Sequence, residues 1–274
     1  MRKIAVLAAC TVCSIGFAVA AGVAAAEPAE GVDEHVGLIE TEETNCFETQ
    51  DRRPVLLTQA EEYVPDRYVV RATPAPPPPA WLGPTGVLVA NVGFVDYVCE
   101  SLSVNGHRGV PTIVSLGTVA VTRDGVNTDY ILWVGTDNPL LFARLQQLGV
   151  EAYFIPRSTY SETIDEQGRR QITVNYIGAG EGGLNYTRTI TVLTTPTGPQ
   201  RTSVGRFYHL GSKGEVYFEY ANTLEPNATA NVCFDVAPGS LPTEYGITNF
   251  PDLCFPAPRP LRRGSWTGTI RLLP

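Results

Sequence analysis

Val204-Gly205-Arg206-Phe207-Tyr208-His209-Leu210-Gly211-Ser212-Lys213-Gly214-Glu215-Val216-Tyr217-Phe218-Glu219-Tyr220 reads as an antiparallel β-hairpin. Side chains alternate with period two on either side of Gly211-Ser212-Lys213-Gly214, and a turn centred on Ser212 and Lys213 fixes which residues face one another. Arg206 is expected opposite Glu219, Phe207 opposite Phe218 and Tyr208 opposite Tyr217. One face then carries Phe207, His209, Val216, Phe218 and Tyr220; the other carries Arg206, Tyr208, Tyr217 and Glu219. Turned into a barrel, the second face offers a guanidinium between phenol rings, a polar set suited to a carboxylate ligand. Turned outward, which is the default for a charged pair, it is a solvated surface whose ion pair is worth under about 1 kcal/mol. On the inward orientation these four are the candidate ligand-binding residues.

Working outward, the same period recurs in short runs bounded by Gly, Pro, Asn and Asp. Strands are expected over residues 86–92, 94–99, 112–122, 129–134, 150–155, 171–177, 184–193, 204–210, 215–220, 230–235 and 266–272. Arg123-Asp124-Gly125 provides a second hairpin turn. A composition of 26 Gly and 22 Pro in 274 residues, with a mean hydropathy of -0.01, excludes both a helical bundle and a disordered chain. So many antiparallel strands curl or close. The fold class expected is α+β, mostly β: a large antiparallel sheet curled into a barrel-like or cone-shaped body, with one short helix at about 138–148.

The N-terminus is Met1-Arg2-Lys3 followed by an apolar stretch from Ile4 to Ala26 that ends in Ala24-Ala25-Ala26, the pattern of a secretory signal peptide. The alternatives are a retained membrane anchor and, from Leu7-Ala8-Ala9-Cys10, a lipoprotein. After cleavage no stable anchor is expected, and the protein is placed outside the cytoplasm. Cys10 and Cys13 leave with the signal. Cys46, Cys99, Cys233 and Cys254 are left to form two disulfides with three possible connectivities, of which Cys46 with Cys99 and Cys233 with Cys254 joins sequence neighbours. Among these four no pair has the short spacing of a zinc site, and the C-x-x-C of Cys10 and Cys13 leaves with the signal, so no metal is expected. From Glu27 to Glu62 there are eleven acidic and two basic residues, which reads as a solvated acidic arm over 27–65. A proline-rich connector at 66–85, containing Thr73-Pro74-Ala75-Pro76-Pro77-Pro78-Pro79-Ala80-Trp81, leads to the β-rich body at 86–274.

One stretch breaks the β pattern. Tyr130-Ile131-Leu132-Trp133-Val134-Gly135-Thr136-Asp137-Asn138-Pro139 ends in a helix start, with Asp137 or Asn138 as cap and Pro139 in the first turn. Leu141, Leu145 and Leu148 mark one helix face and Gly149 its end. This order of strand, aspartate-containing turn, short helix, glycine and further strands, over roughly residues 85 to 220, resembles the acetoacetate decarboxylase-like superfamily. The resemblance implies a cone-shaped β-barrel with an internal cavity. It also implies a Schiff-base lysine just beyond the helix glycine, but here Gly149 is followed by Val150, Glu151, Ala152 and Tyr153. The family's decarboxylase chemistry is therefore not expected to carry over.

Other chemistries fare no better. A net charge of -8 argues against nucleic acid. Lysine occurs only as Lys3 and Lys213 against eighteen arginines. Gly178-Ala179-Gly180-Glu181-Gly182-Gly183 fits a dinucleotide fingerprint by letter, yet a strand pattern follows where a helix is needed, so a loop is expected, with Glu181 as a lid candidate. His35, His107 and His209 are the available imidazoles, and no nucleophile motif accompanies them. Glu162, Asp165 and Glu166 are expected to be solvated, and Asp124, Asn127 and Asp129 lack EF-hand spacing. No catalytic residue and no cofactor is assigned. The leading expectation is an exported, disulfide-stabilised β domain that binds a small organic acid or apolar molecule without converting it. An enzyme of unrecognised class using the hairpin residues, and an envelope protein that binds a partner through its arm or proline run, are the alternatives.

Overall fold

The computed structural model describes residues 37–76, 83–178, 183–194, 198–225, 228–247, 254 and 259–274. In chain order, β1 (Leu38–Leu56) leads to a short helix α1 (Leu57–Glu62) and two edge pieces, β2 (Val69–Val70) and β3 (Thr73–Pro74). Three long strands follow: β4 (Leu88–Val104), β5 (His107–Arg123) and β6 (Val126–Thr136). Helix α2 (Pro139–Gln147) and β7 (Ala152–Phe154) precede β8 (Thr159–Ile164), β9 (Arg170–Ile177) and β10 (Asn185–Val192). The chain ends with β11 (Arg201–Gly211), β12 (Gly214–Leu224), β13 (Ala228–Val236), the one-turn α3 (Leu241–Glu244) and β14 (Arg259–Leu272).

Seven strands close a barrel in the order β1-β4-β5-β6-β11-β12-β14, with β14 returning to β1. From the start of β14 the sheet peels away through β13, β10, β9 and β8 as an outer layer. The expected mostly-β barrel with a short helix is therefore what forms, with extra strands outside it. Neighbours are antiparallel except β6–β11 and β6–β7, which run parallel because α2 and the outer layer intervene in the chain.

Period-two alternation sends successive side chains to two different cores. On β4, Val95, Tyr97 and Cys99 point into the barrel, while Val92 and Phe94 pack outward beneath Ile172, Val174, Tyr186 and Phe234 of the outer layer. Leu141, Leu145 and Leu148 of α2 join the inner core, each worth about 1.5 to 3 kcal/mol of burial. The helix forms where expected. Asn138 is the cap, its Oδ1 accepting from the Leu140 and Leu141 amides, both at 3.1 Å, and Gly149 follows the last turn at φ 84°.

Three sequence expectations need correction. Residues 27–65, read as a solvated acidic arm, contribute from Leu38 onward a full barrel strand paired on both edges. Composition misled because the acids Glu43, Glu48 and Asp51 are themselves buried. The connector at 66–85 is part of the sheet where it is described, with β2 on β5 and β3 on β4. Runs 86–92 and 94–99 are one strand: Gly93 is not a break but a close approach, since a Cβ there would lie 2.6 Å from the Thr118 Oγ1. The signal segment 1–26, His35 and Glu181 lie outside the described residues. No helix among the described residues is long and apolar enough to cross a membrane.

Candidate functional site

The hairpin β11–β12 has the expected register, with Arg206 opposite Glu219, Phe207 opposite Phe218 and Tyr208 opposite Tyr217. Its Phe207, Val216, Phe218 and Tyr220 face enters the barrel. The polar face is outside: the Arg206 and Glu219 side chains are 64% and 40% exposed and pair at 2.9 Å, and Tyr217 donates to Glu219 at 2.7 Å. Tyr208 packs on the outer side beneath the Arg123 guanidinium. The four candidate residues thus form a surface cluster and not an interior pocket, although Arg206 also reaches the rim of the barrel mouth.

That mouth opens on a cavity of about 450 Å³. Its deeper wall is built from Glu48, Tyr97, Phe207, Tyr220, Arg262 and Trp266, brought together from β1, β4, β11, β12 and β14. Arg262 Nη1 donates to Glu48 Oε1 at 3.0 Å, and Tyr97 stands edge-on to Trp266 at 5.7 Å. Glu48 is 1% exposed, and burial pushes its carboxyl up; the charge and hydrogen bond of Arg262, then Gln50 and Trp266, pull it back. Burial, with Glu48 nearby, holds the Tyr97 phenol well above 10, so it is a hydrogen-bond donor at neutral pH. Glu43, also buried on β1 but outside the cavity lining, accepts from the Thr41 hydroxyl at 3.3 Å, and burial pushes it up to about 7. At the mouth, Arg52 pairs with Asp129 at 3.0 Å.

Sequence reasoning missed this cluster because Glu48 and Arg262 are 214 residues apart, Glu48 in the segment read as an arm and Arg262 ahead of the terminal strand expected at 266–272. The other sequence candidates are scattered. Glu162 pairs with Arg170 on the β8–β9 hairpin, Asp165 closes that hairpin's turn by accepting from the Gln167 and Arg169 amides, and His107 is exposed at the start of β5. The disulfides are Cys46–Cys99 and Cys233–Cys254. A strand, β10, follows the glycine-rich loop, so no helix end is available there for a pyrophosphate. Lys213, the one lysine among the described residues, is exposed at the hairpin turn, where its Nζ donates to the Gln147 carbonyl at 2.8 Å.

His209 acts as a strut between the barrel and the segment after α2. Its Nδ1 bonds the Ile131 carbonyl at 3.0 Å and its Nε2 accepts from the Glu151 amide at 3.4 Å, a pairing that needs the neutral ring. Burial holds its pKa below the ordinary 6.5. The unfolded chain therefore takes up this proton first, so the His209 contribution is complete above pH 6.5 and is lost as pH falls through the folded value. Urea unfolding between about pH 7 and pH 5 should show a shallower loss of stability for His209→Gln than for the parent. Equal slopes would refute the assignment.

No family profile matches the chain, and no curated protein matches its sequence. Solved structures do. The enduracididine biosynthesis enzyme MppR, complexed with pyruvate, is similar over 85% of this chain and 88% of its own, with a TM-score of 0.50 and 12% identity. An acetoacetate decarboxylase-like enzyme from Sphingomonas wittichii RW1 is similar over 86% and 92%, with a TM-score of 0.46 and 9% identity. Acetoacetate decarboxylase from Legionella pneumophila is similar over 85% of each chain, with a TM-score of 0.47 and 10% identity. The resemblance to the acetoacetate decarboxylase-like superfamily holds at the level of fold.

Proposed function

We propose that the protein is exported and that its barrel holds a small organic acid, without covalent chemistry, in the cavity walled by Arg262 and Glu48. The observation that carries this reading is Arg262 itself. A guanidinium has five donors, and its hydrogen bond to Glu48 leaves others for a ligand carboxylate in a pocket whose wall combines Tyr97, Phe207, Tyr220 and Trp266 with polar groups such as Gln50, Thr118 and Asn127. The similar fold of MppR, whose structure contains pyruvate, supports a ligand of the 2-oxo acid type. Binding without a Schiff base is supported by the positions after Gly149, Val150, Glu151, Ala152 and Tyr153, none of them lysine, and by Lys213, which bonds the Gln147 carbonyl and does not line the cavity. Export is supported by the two disulfides and by the signal pattern at 1–26.

Calorimetric titration with pyruvate and with acetoacetate tests the binding half. Arg262→Met should weaken binding at least about tenfold, since a charged hydrogen bond is worth more than the 1.4 kcal/mol that a decade requires. Arg206→Ala at the rim should change it less than about threefold, as expected of an exposed pair. Absence of binding by the parent to either acid, or equal loss in both variants, would sink the reading. Export is tested by the mass of the protein recovered outside the cytoplasm, expected to begin at Glu27 and to lack four hydrogens for its two disulfides.

A further inference from the structure

We infer that Cys46, Cys99 and Glu43 form a redox-gated site for a divalent metal of borderline softness such as zinc, closed while the two sulfurs are bonded to each other and open once a dithiol has reduced them. This stands apart from the proposed acid-binding cavity and does not depend on it.

The site is made by two coincident irregularities in neighbouring strands. Cys46 and Cys99 face each other directly across β1 and β4. Glu43 is three residues earlier and in a regular strand would point to the opposite face. Between Glu43 and Cys46, however, β1 slips one residue against β14, with Asn45 at φ 49°, and between Cys99 and Leu102 β4 slips against β5. The two strands keep their register with each other, so the bulges turn Glu43 and both sulfurs to one interior side. Ligand atoms of the three residues lie within 4.8 Å of one another, and Glu43 Oε2 is 4.0 Å from Cys99 Sγ. Metal–sulfur bonds of about 2.3 Å and metal–oxygen bonds of about 2.0 to 2.2 Å need only modest closure from there, and a fourth position is left for water.

A second observation points to a cation. Glu43 is 5% exposed, and among the described residues its carboxylate has the Thr41 hydroxyl as its donor and no arginine, lysine or histidine in contact. An ionised carboxylate so placed is costly without a positive partner. A cleft of about 900 Å³ lies between the barrel wall and the β8–β9 hairpin, floored by Phe47, Val98 and Ile113, and it reaches Cys46 and Cys99. In the opening step the S–S bond accepts two electrons and two protons from a dithiol, which becomes a disulfide. The metal then displaces the two thiol protons to solvent and is held by two thiolates and the carboxylate.

The test uses the full chain with Cys10→Ser, Cys13→Ser, Cys233→Ser and Cys254→Ser, so that Cys46 and Cys99 are its only sulfur ligands apart from methionine. The protein is reduced anaerobically with a phosphine, desalted, and titrated with cobalt and then zinc. One equivalent of cobalt should give a thiolate-to-metal charge-transfer band in the reduced protein and none in the oxidised protein. Glu43→Gln should weaken zinc binding at least about tenfold, the loss typical even of groups that only support a ligand. Thiols of an unfolded chain would bind equally with or without Glu43→Gln, so a loss of folding does not mimic the expected result. No band after reduction, the same band before it, or an affinity indifferent to Glu43→Gln would each overturn the inference.

Discussion

Arg188→Met should cost about 3 to 5 kcal/mol of folding stability, the range for breaking a buried ion pair from one side. Arg188, on β10, is fully buried between the outer layer and the barrel wall. Its guanidinium bonds Thr49 and Asp51 on β1 and Asp96 on β4, and it lies over the Phe234 ring at 4.4 Å. Asp96 also accepts from the Tyr186 hydroxyl at 2.8 Å, which in turn contacts the Ser115 hydroxyl at 2.6 Å. Two effects oppose each other here. Burial pushes Asp96 up, to about 7, and pushes Arg188 well down, while direct contact between the two favours charge on both. We take contact to prevail, because an arginine does not release its proton inside a protein.

Without Arg188 that balance reverses. Asp96 then keeps its proton in the folded state to a higher pH than in the unfolded chain, whose ordinary value is 3.8. The sign follows: the variant binds more protons folded than unfolded above that value, so its stability falls as pH rises, and its deficit should be larger at about pH 8 than at about pH 5. Urea unfolding at the two pH values measures both effects. A combined Arg188→Met, Asp51→Leu, Asp96→Leu variant should recover much of the loss, because an apolar replacement of the whole group leaves no buried charge behind. A deficit for Arg188→Met below about 1 kcal/mol, the worth of an exposed pair, would show that the network does not hold the layers together.

Trp133→Ala should cost about 3 to 5 kcal/mol, as expected of the largest core truncations. Trp133, on β6, is fully buried, edge-on to Phe94 at 5.5 Å and 5.0 Å from the Tyr245 ring. Its indole lies across Gly117 of β5, where an added Cβ would come within 2.2 Å of ring carbons. Gly117→Ala alone should therefore cost about 1 to 3 kcal/mol through overpacking. Once the ring is gone, the new methyl occupies part of the space it left. The cost of Gly117→Ala should accordingly shrink or vanish in the Trp133→Ala background, a coupling that a double-mutant cycle reads directly. Additive costs would mean that the indole has room to move aside.

How much of this was legible in the sequence depends on how local each feature is. The register of β11 and β12 and the start of α2 rest on short spacings and were readable, the cap being narrowed to Asp137 or Asn138, whereas the cysteine pairing was one of three connectivities, the one that joins sequence neighbours. Which hairpin face turns inward was not decided by period alone, because both faces carry aromatic rings and the difference comes from partners elsewhere in the barrel. β1 was missed for a physical reason. Hydrophobic periodicity identifies strands that bury apolar side chains, whereas the buried positions of β1 include Thr41, Glu43, Glu48, Thr49 and Asp51. The partners of Glu48, Thr49 and Asp51, namely Arg262 and Arg188, lie in strands far along the chain. The site escaped for the same reason, since it consists of residues that look solvated until the barrel closes around them.

The closure of β1 against β14 also sets an order of events in time. Leu38 pairs with Arg271, so the seam of the barrel joins one of the earliest described residues to one of the last. Local hairpins such as β11–β12 are able to form within microseconds of synthesis, but the seam must await β14 and bear the entropy of a very long loop. Until then β1 and β12 present unsealed edges, and Glu48 has not met Arg262. The barrel is thus a slow, late-committing fold, whose half-made form is most exposed to misassociation while its final strand is still emerging.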